Sequence, residues 1–198
     1  MNREIKGRKK FEDINLVCLG IGSMASSMNS QVQFALLSLI LEFLLIEPQR
    51  VQIFEPIFQE NDIQLIQEVG FNLITNNIGR HKAESPTLFY MPHCPEGLYN
   101  NLLLENWTME HLPNVLVFGN SFNYYHHKRD LTTGMMIIKA ARYYQEFSLG
   151  DYLNDQYLEL AFSNTSLHIP SAKTLRDNTN SNFWSQKGNL VTGSEVIC

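Results

Sequence analysis

Only three cysteines, Cys18, Cys94 and Cys198, occur in the 198 residues, and no two of them form a CxxC pair. An odd, sparse thiol set argues against a disulfide framework and points to reduced thiols in an intracellular compartment. Zinc is disfavoured too, because four ligands at a recognisable spacing are absent. Positive charge is not in excess: 15 Lys and Arg stand against 20 Asp and Glu, a net charge of −5. That leaves no electrostatic case for direct nucleic-acid binding. No apolar run reaches the roughly 18 to 20 residues that cross a bilayer. The strongest one, residues 32–46, carries Glu42 and stops short of Pro48, so no membrane association is expected. The first ten residues lack an apolar stretch, which argues against secretion; their basic cluster reads either as a solvated tail or as a weak nuclear signal. Neither a GxSxG elbow nor a Walker loop is present, and Ser121 has no identifiable base. His81, His111 and His168 have no evident partners, and His126 with His127 reads as a surface pair.

What is present suits one domain with a sizeable core: hydrophobic residues make up 44% of a chain too short for two comfortable domains. The organising stretch is residues 14–46. A short apolar strand at 15–19 runs into Gly20-Ile-Gly-Ser-Met-Ala25, and a long apolar helix follows. Ser30 with Gln33 satisfies a capping-box pattern and predicts the helix start. Residues 32–46 are apolar at all but Gln33, Ser38 and Glu42, so the helix is expected to be core, covered on nearly every side.

Further along, residues 50–55, 71–74, 87–91 and 114–118 read as strands, and 60–69 and 96–107 read as helices. Residues 75–85 are polar and read as an exposed loop. The alternation predicts an α/β, Rossmann-like three-layer domain with a mainly parallel sheet in the order 3-2-1-4-5. Beyond residue 129 the pattern weakens. Residues 135–147 are expected to be helical, ending at Gly150, and 157–162 to form an antiparallel edge strand. The expected divisions are a basic tail at 1–13, the domain at 14–170 and a polar segment at 171–198, mobile over 171–182 and partly docked back through Phe183 and Trp184.

In an open parallel sheet, ligands bind beyond the carboxyl ends of the strands, where the loops form one rim. The candidate binding residues are those at that rim: Gly20, Gly22, Ser23, Glu55, Pro92, His93, Asn120 and Ser121. Glycines permit close backbone approach, amides and hydroxyls bind phosphate or carboxylate, and an acid after the second strand holds ribose hydroxyls. Gly20-x-Gly-x-x-Ala25 fits the relaxed dinucleotide fingerprint, although the predicted cap at Ser30 lies too far on and Glu55 exceeds the usual interval of about 20 residues. The loop reads either as a pocket for a nucleotide or S-adenosylmethionine or as a structural tight turn. His93-Cys94-Pro95 likewise has two readings: haem iron held by the Cys94 thiolate, or a proline-shaped turn with Cys94 packed as a small hydrophobe.

These residues also carry a resemblance. Cys18-Leu-Gly-Ile-Gly-Ser23, the helix over 31–42, Phe54-Glu-Pro-Ile-Phe58, Thr87-Leu-Phe-Tyr-Met-Pro-His-Cys-Pro-Glu-Gly-Leu-Tyr-Asn-Asn101 and Val117-Phe-Gly-Asn-Ser-Phe122 together resemble the sensitivity-to-red-light-reduced (SRR-like) domain. A fainter echo lies at 161–168. Glu55 stands where that family's strand end is associated with aspartate. The resemblance implies a regulatory protein of the cytoplasm and sometimes the nucleus, acting in haem biosynthesis and circadian clock gene expression through a small ligand or a protein partner. It implies no established reaction and no catalytic residues. The alternative is a methyltransferase-like or nucleotide-dependent enzyme using the Gly20 to Ala25 loop and Glu55.

Overall fold

Apolar runs of strand length supply a seven-stranded sheet in the order β3-β2-β1-β4-β5-β7-β6, seen in a computed structural model that describes residues 13–76, 79–127, 135–178, 181–185 and 188–193. β1 (Asn15–Leu19) lies between β2 (Val51–Phe54) and β4 (Thr87–Met91), parallel to both. Outside them, also parallel, are β3 (Asn72–Leu73) and β5 (Val115–Asn120). The expected order 3-2-1-4-5 therefore holds through the parallel part, and the switch point falls beside β1.

Alternate residues of a strand face opposite ways, and the core divides accordingly. Leu16, Cys18, Tyr90 and Phe118 pack under α1 (Met28–Leu44), α2 (Glu60–Glu68) and α6 (Gln156–Ala161). Val17, Leu19, Phe89 and Val117 pack under α3 (Glu96–Glu105), α4 (Phe122–His127), α5 (Met135–Ala141) and α8 (Ser181–Ser185). Eight of the ten residues of α3 are buried. On the same side, the indole N–H of Trp107 donates to the Phe183 carbonyl at 3.0 Å, and their rings lie 4.7 Å apart. Burying a side chain the size of Phe183 contributes about 2 kcal/mol, which favours the packing of α8 against this side.

Several expectations fail. The long helix begins at Met28: the Ser27 hydroxyl accepts from the Ser30 amide, while the Gln33 side chain donates to the Ala161 carbonyl instead of reaching back. Nor is α1 covered on nearly every side, since Leu39 is 60% and Phe43 78% exposed. Residues 135–147 are not one helix; α5 ends at Ala141 and the chain turns into β6 (Tyr144–Ser148). The segment expected as an edge strand is α6, and the antiparallel strands are β6 and β7 (Thr165–Pro170), with β7 against β5. Asp155 explains the helix, because its carboxylate accepts from the amides of Tyr157 and Leu158 and so caps the first turn. The polar stretch after β3 is partly tied down, with Ala83 buried and its amide donating to Asn106 at 2.7 Å. Likewise, residues 172–177 of the polar C-terminal segment form α7 (Ala172–Asp177). The N-terminal basic cluster and Cys198 lie outside the described residues, as do the side chains of His126 and His127.

Candidate functional site at the carboxyl edge of the sheet

The loops leaving β1, β2, β4 and β5 meet at one edge and are joined by a continuous series of hydrogen bonds. Gly20 and Gly22 adopt positive φ, +70° and +74°, which lets the first loop fold over the strand ends. The Gly20 amide donates to the Phe54 carbonyl at 3.3 Å. The Gly22 amide donates to a Glu55 carboxylate oxygen at 2.8 Å, and the other oxygen accepts from Ile57 at 3.2 Å. Next along the edge, the Cys94 thiol donates to the Leu19 carbonyl at 3.2 Å, and Asn120 donates to the Cys94 carbonyl at 3.1 Å. Asn120 also accepts from the His93 amide at 3.0 Å. Gly22, Glu55, His93 and Asn120, distant in sequence, thus share one lip.

His93 is the exposed member, and its backbone is left-handed at φ +58°, unusual for a residue with a Cβ. Two contacts hold it there: its amide on Asn120, and its Nε2 on the Ala161 carbonyl at 3.0 Å. A carbonyl only accepts, so Nε2 carries the proton in that contact. Pro92, buried, completes the turn. Ser121 is spent at the start of α4, where its hydroxyl accepts from the Tyr124 amide.

Asn120 is the most heavily bonded group at the edge. Besides His93 and Cys94, it donates to the Tyr125 hydroxyl at 2.9 Å, its amide donates to the Tyr99 hydroxyl at 2.9 Å, and its carbonyl faces His168 Nε2 at 3.0 Å. The Tyr99 hydroxyl in turn donates to the Met91 carbonyl. Burial raises the Tyr125 phenol, which keeps it a neutral donor and acceptor. His168, without an evident partner in the sequence, stacks on Phe122 with ring centres 3.8 Å apart and faces Glu146 at 3.8 Å. Its burial pushes the imidazole pKa down to about 4, outweighing Glu146 and the Asn120 carbonyl.

Asp62 was missed by pattern reading. It is buried, and one oxygen accepts from the Ser23 hydroxyl at 2.6 Å and the Gln59 amide at 2.8 Å, the other from the Ala25 amide at 2.9 Å. Burial alone would raise its carboxyl pKa, but the Ser23 hydroxyl and the Gln59, Ala25 and Met24 amides reverse this and hold it below the ordinary value. The available signal was an acid three residues past Gln59, at the third position of α2.

The loop amides of Gly22 and Ala25 are therefore answered by Glu55 and Asp62, and the first loop is lined by acceptors. Such an edge suits hydroxyl- or cation-bearing ligands better than a bare phosphate, which needs unanswered amides. Cys94 is 3% exposed, with its thiol turned onto Leu19, an arrangement of a packed hydrophobe and not of a thiolate offered to iron. Among the described residues no group of three or more His, Cys, Asp or Glu is placed to hold a metal ion.

An open, mainly parallel α/β sheet with a glycine loop at its switch point and an acid after β2 defines a Rossmann-like domain. The chain belongs to the SRR1 family: residues 2–169 match the SRR1 domain. It is 35% identical over 111 residues to an SRR1-like protein of Mus musculus, covering 55% of this chain and 45% of that protein. It is 30% identical over 165 residues to Protein SENSITIVITY TO RED LIGHT REDUCED 1 of Arabidopsis thaliana, covering 80% and 59%. With an SRR1-like protein of Drosophila melanogaster it shares 29% identity over 199 residues, covering 100% of this chain and 69% of that one. The chain thus spans about half the length of the mouse and Arabidopsis relatives. No solved structure matches it.

Proposed function

We propose that this chain is a non-catalytic regulatory protein acting in haem biosynthesis and circadian clock gene expression, and that it responds to a small hydroxyl- or cation-bearing ligand at the carboxyl edge. Membership of the SRR1 family supports the regulatory reading. The observation that carries the ligand reading is the convergence of the glycine loop, Glu55, His93 and Asn120 on one lip. We assign it to the cytoplasm and nucleus, working through a protein partner as well as the ligand. Among the described residues no helix is long and apolar enough to cross a membrane.

The test is a thermal-shift panel of S-adenosylmethionine, NAD(H), nucleotides and haem on the purified chain. A ligand specific to the folded state raises the midpoint by mass action. The expected result is a rise with one of the first three that is lost in Glu55→Gln and in His93→Ala. Millimolar ligand with no rise throughout the panel would remove the small-ligand half of the proposal. A second, catalytic reading has one observation in its favour, the positive-φ glycines placed against an acid after β2. Turnover of a methyl donor by the same preparation would put that reading first.

A further inference from the structure

Helix α1 is apolar on the side that faces the sheet and again on the side that faces away. Leu37 and Leu41 point into the core, while Met28, Ala35, Leu39 and Phe43, at spacings of seven and four, form one outer stripe. Met28 and Leu39 are each 60% exposed and Phe43 is 78% exposed. Beside it α6, tied to α1 through the Gln33 contact with Ala161, leaves Tyr157 and Leu160 more than half exposed. A hollow of about 410 Å³, lined by Leu41, Leu45, Val69 and Phe71 among others, opens at the end of α1.

The charge on this face is of one sign. Residues 13–79, which supply α1 and α2, hold seven Asp and Glu, of which Glu55 and Asp62 are buried at the carboxyl edge, and one basic residue, Arg50, whose side chain bonds Asn15 at the amino-terminal edge. Residues 143–172, which supply α6, hold four acids and no Lys or Arg. Glu42, Asp155 and Glu159 are exposed at the margin of the patch.

We propose that the α1–α6 face is a protein-docking surface whose occupant is an amphipathic helix of a partner, apolar on one side and flanked by Lys or Arg. The apolar stripe supplies the buried centre of such a contact and the acids supply its rim, which selects the partner by charge. The same acids oppose a second copy of this face and an anionic lipid surface. This surface adjoins the carboxyl edge where Ala161 meets His93, but Leu39 and Phe43 lie toward the other end of α1, so it deepens the partner half of the functional reading and stands without the ligand half.

The experiment uses the full chain and a fluorescent synthetic helix of leucines flanked by lysines, beside a counterpart flanked by glutamates, read by anisotropy. The lysine peptide is expected to bind at least about tenfold more tightly than the glutamate peptide. Leu39→Ser with Phe43→Ser should abolish that binding, and Glu42→Lys with Glu159→Lys should reverse the preference. These side chains are exposed, so melting curves should stay unchanged, and the ligand panel should respond as in the unaltered chain. Absence of binding by the lysine peptide, equal binding of both peptides, or binding indifferent to the serine substitutions, would overturn the proposal. So would a dimer in sedimentation that Phe43→Ser dissolves, which assigns the face to a second copy. Binding that appears only after removal of residues 1–12 would assign it to the chain's own basic segment, and would overturn it equally.

Discussion

Gly119 measures how closely the carboxyl edge is packed. A Cβ there would lie 2.5 Å from the Tyr99 hydroxyl and 2.9 Å from the Met91 carbonyl, and the second of these is backbone with little room to give. Gly119→Ala should therefore cost about 1 to 3 kcal/mol by overpacking, read from urea denaturation. Because the Tyr99 hydroxyl supplies the nearer clash, its loss in Tyr99→Phe should make the double substitution cheaper than the sum of the two single ones; strict additivity would mean that the hydroxyl does not lie against Gly119. Asp62 belongs to the same scale. Asp62→Asn keeps the shape but turns one of its two acceptor oxygens into a donor, facing either the Ala25 amide or the Ser23 and Gln59 donors, and a loss of about 1 to 3 kcal/mol is expected in the same assay. A neutral result would show that the Ser23 to Ala25 loop is held by something else.

Among the elements, the strands at β1, β4 and β5 were legible because buried parallel strands are continuously apolar and end at glycine or proline, and β2 because Val51 and Ile53 alternate with exposed Gln52. The α6 and β6 segments were misread for a physical reason. Tyr157, Leu158 and Leu160 alternate with Glu159 as a strand would, yet these apolar side chains face outward on a short helix fixed by the Asp155 cap and by Ala161. Sequence pattern assumes that apolar means inward, and this surface breaks that assumption. Helix α1 broke it in the same way. β7 carries the pH dependence, since it holds His168. Its pKa is depressed in the folded chain, to about 4 against an ordinary value of 6.5. Between those values the unfolded chain binds the extra proton, so this contribution to stability is complete above about pH 6.5 and is lost as pH falls toward 4. The slope from this group is up to about 1 kcal/mol per pH unit. The stability difference between the unaltered chain and His168→Gln should shrink across that range; parallel curves would contradict the buried neutral imidazole.

At the scale of the whole molecule, the sheet order placed Gly22, Glu55, His93 and Asn120 together, and topology alone made that much legible: residues that follow parallel strands must share an edge. What spacing could not give was how the edge is wired. The engagement of Asn120 with both tyrosines, of the first loop with Asp62, and of Cys94 with Leu19 all depend on side chains meeting across the sheet. The two faces also differ in kind. One is closed by α3 and the docked Phe183, and the other leaves an acidic-rimmed apolar surface open.

Whether the carboxyl edge receives a ligand is read residue by residue in a backbone amide NMR titration with the S-adenosylmethionine, NAD(H) or nucleotide that most raises the melting midpoint. The amides of Gly20, Gly22, Ser23, His93 and Asn120 should shift together along one saturating curve, with those of the amino-terminal edge, such as Asn15 and Thr87, unmoved. Shifts that gather instead around Arg50, Lys82 and Thr87 at the opposite edge, or that scatter without saturating, would contradict a ligand at the carboxyl edge.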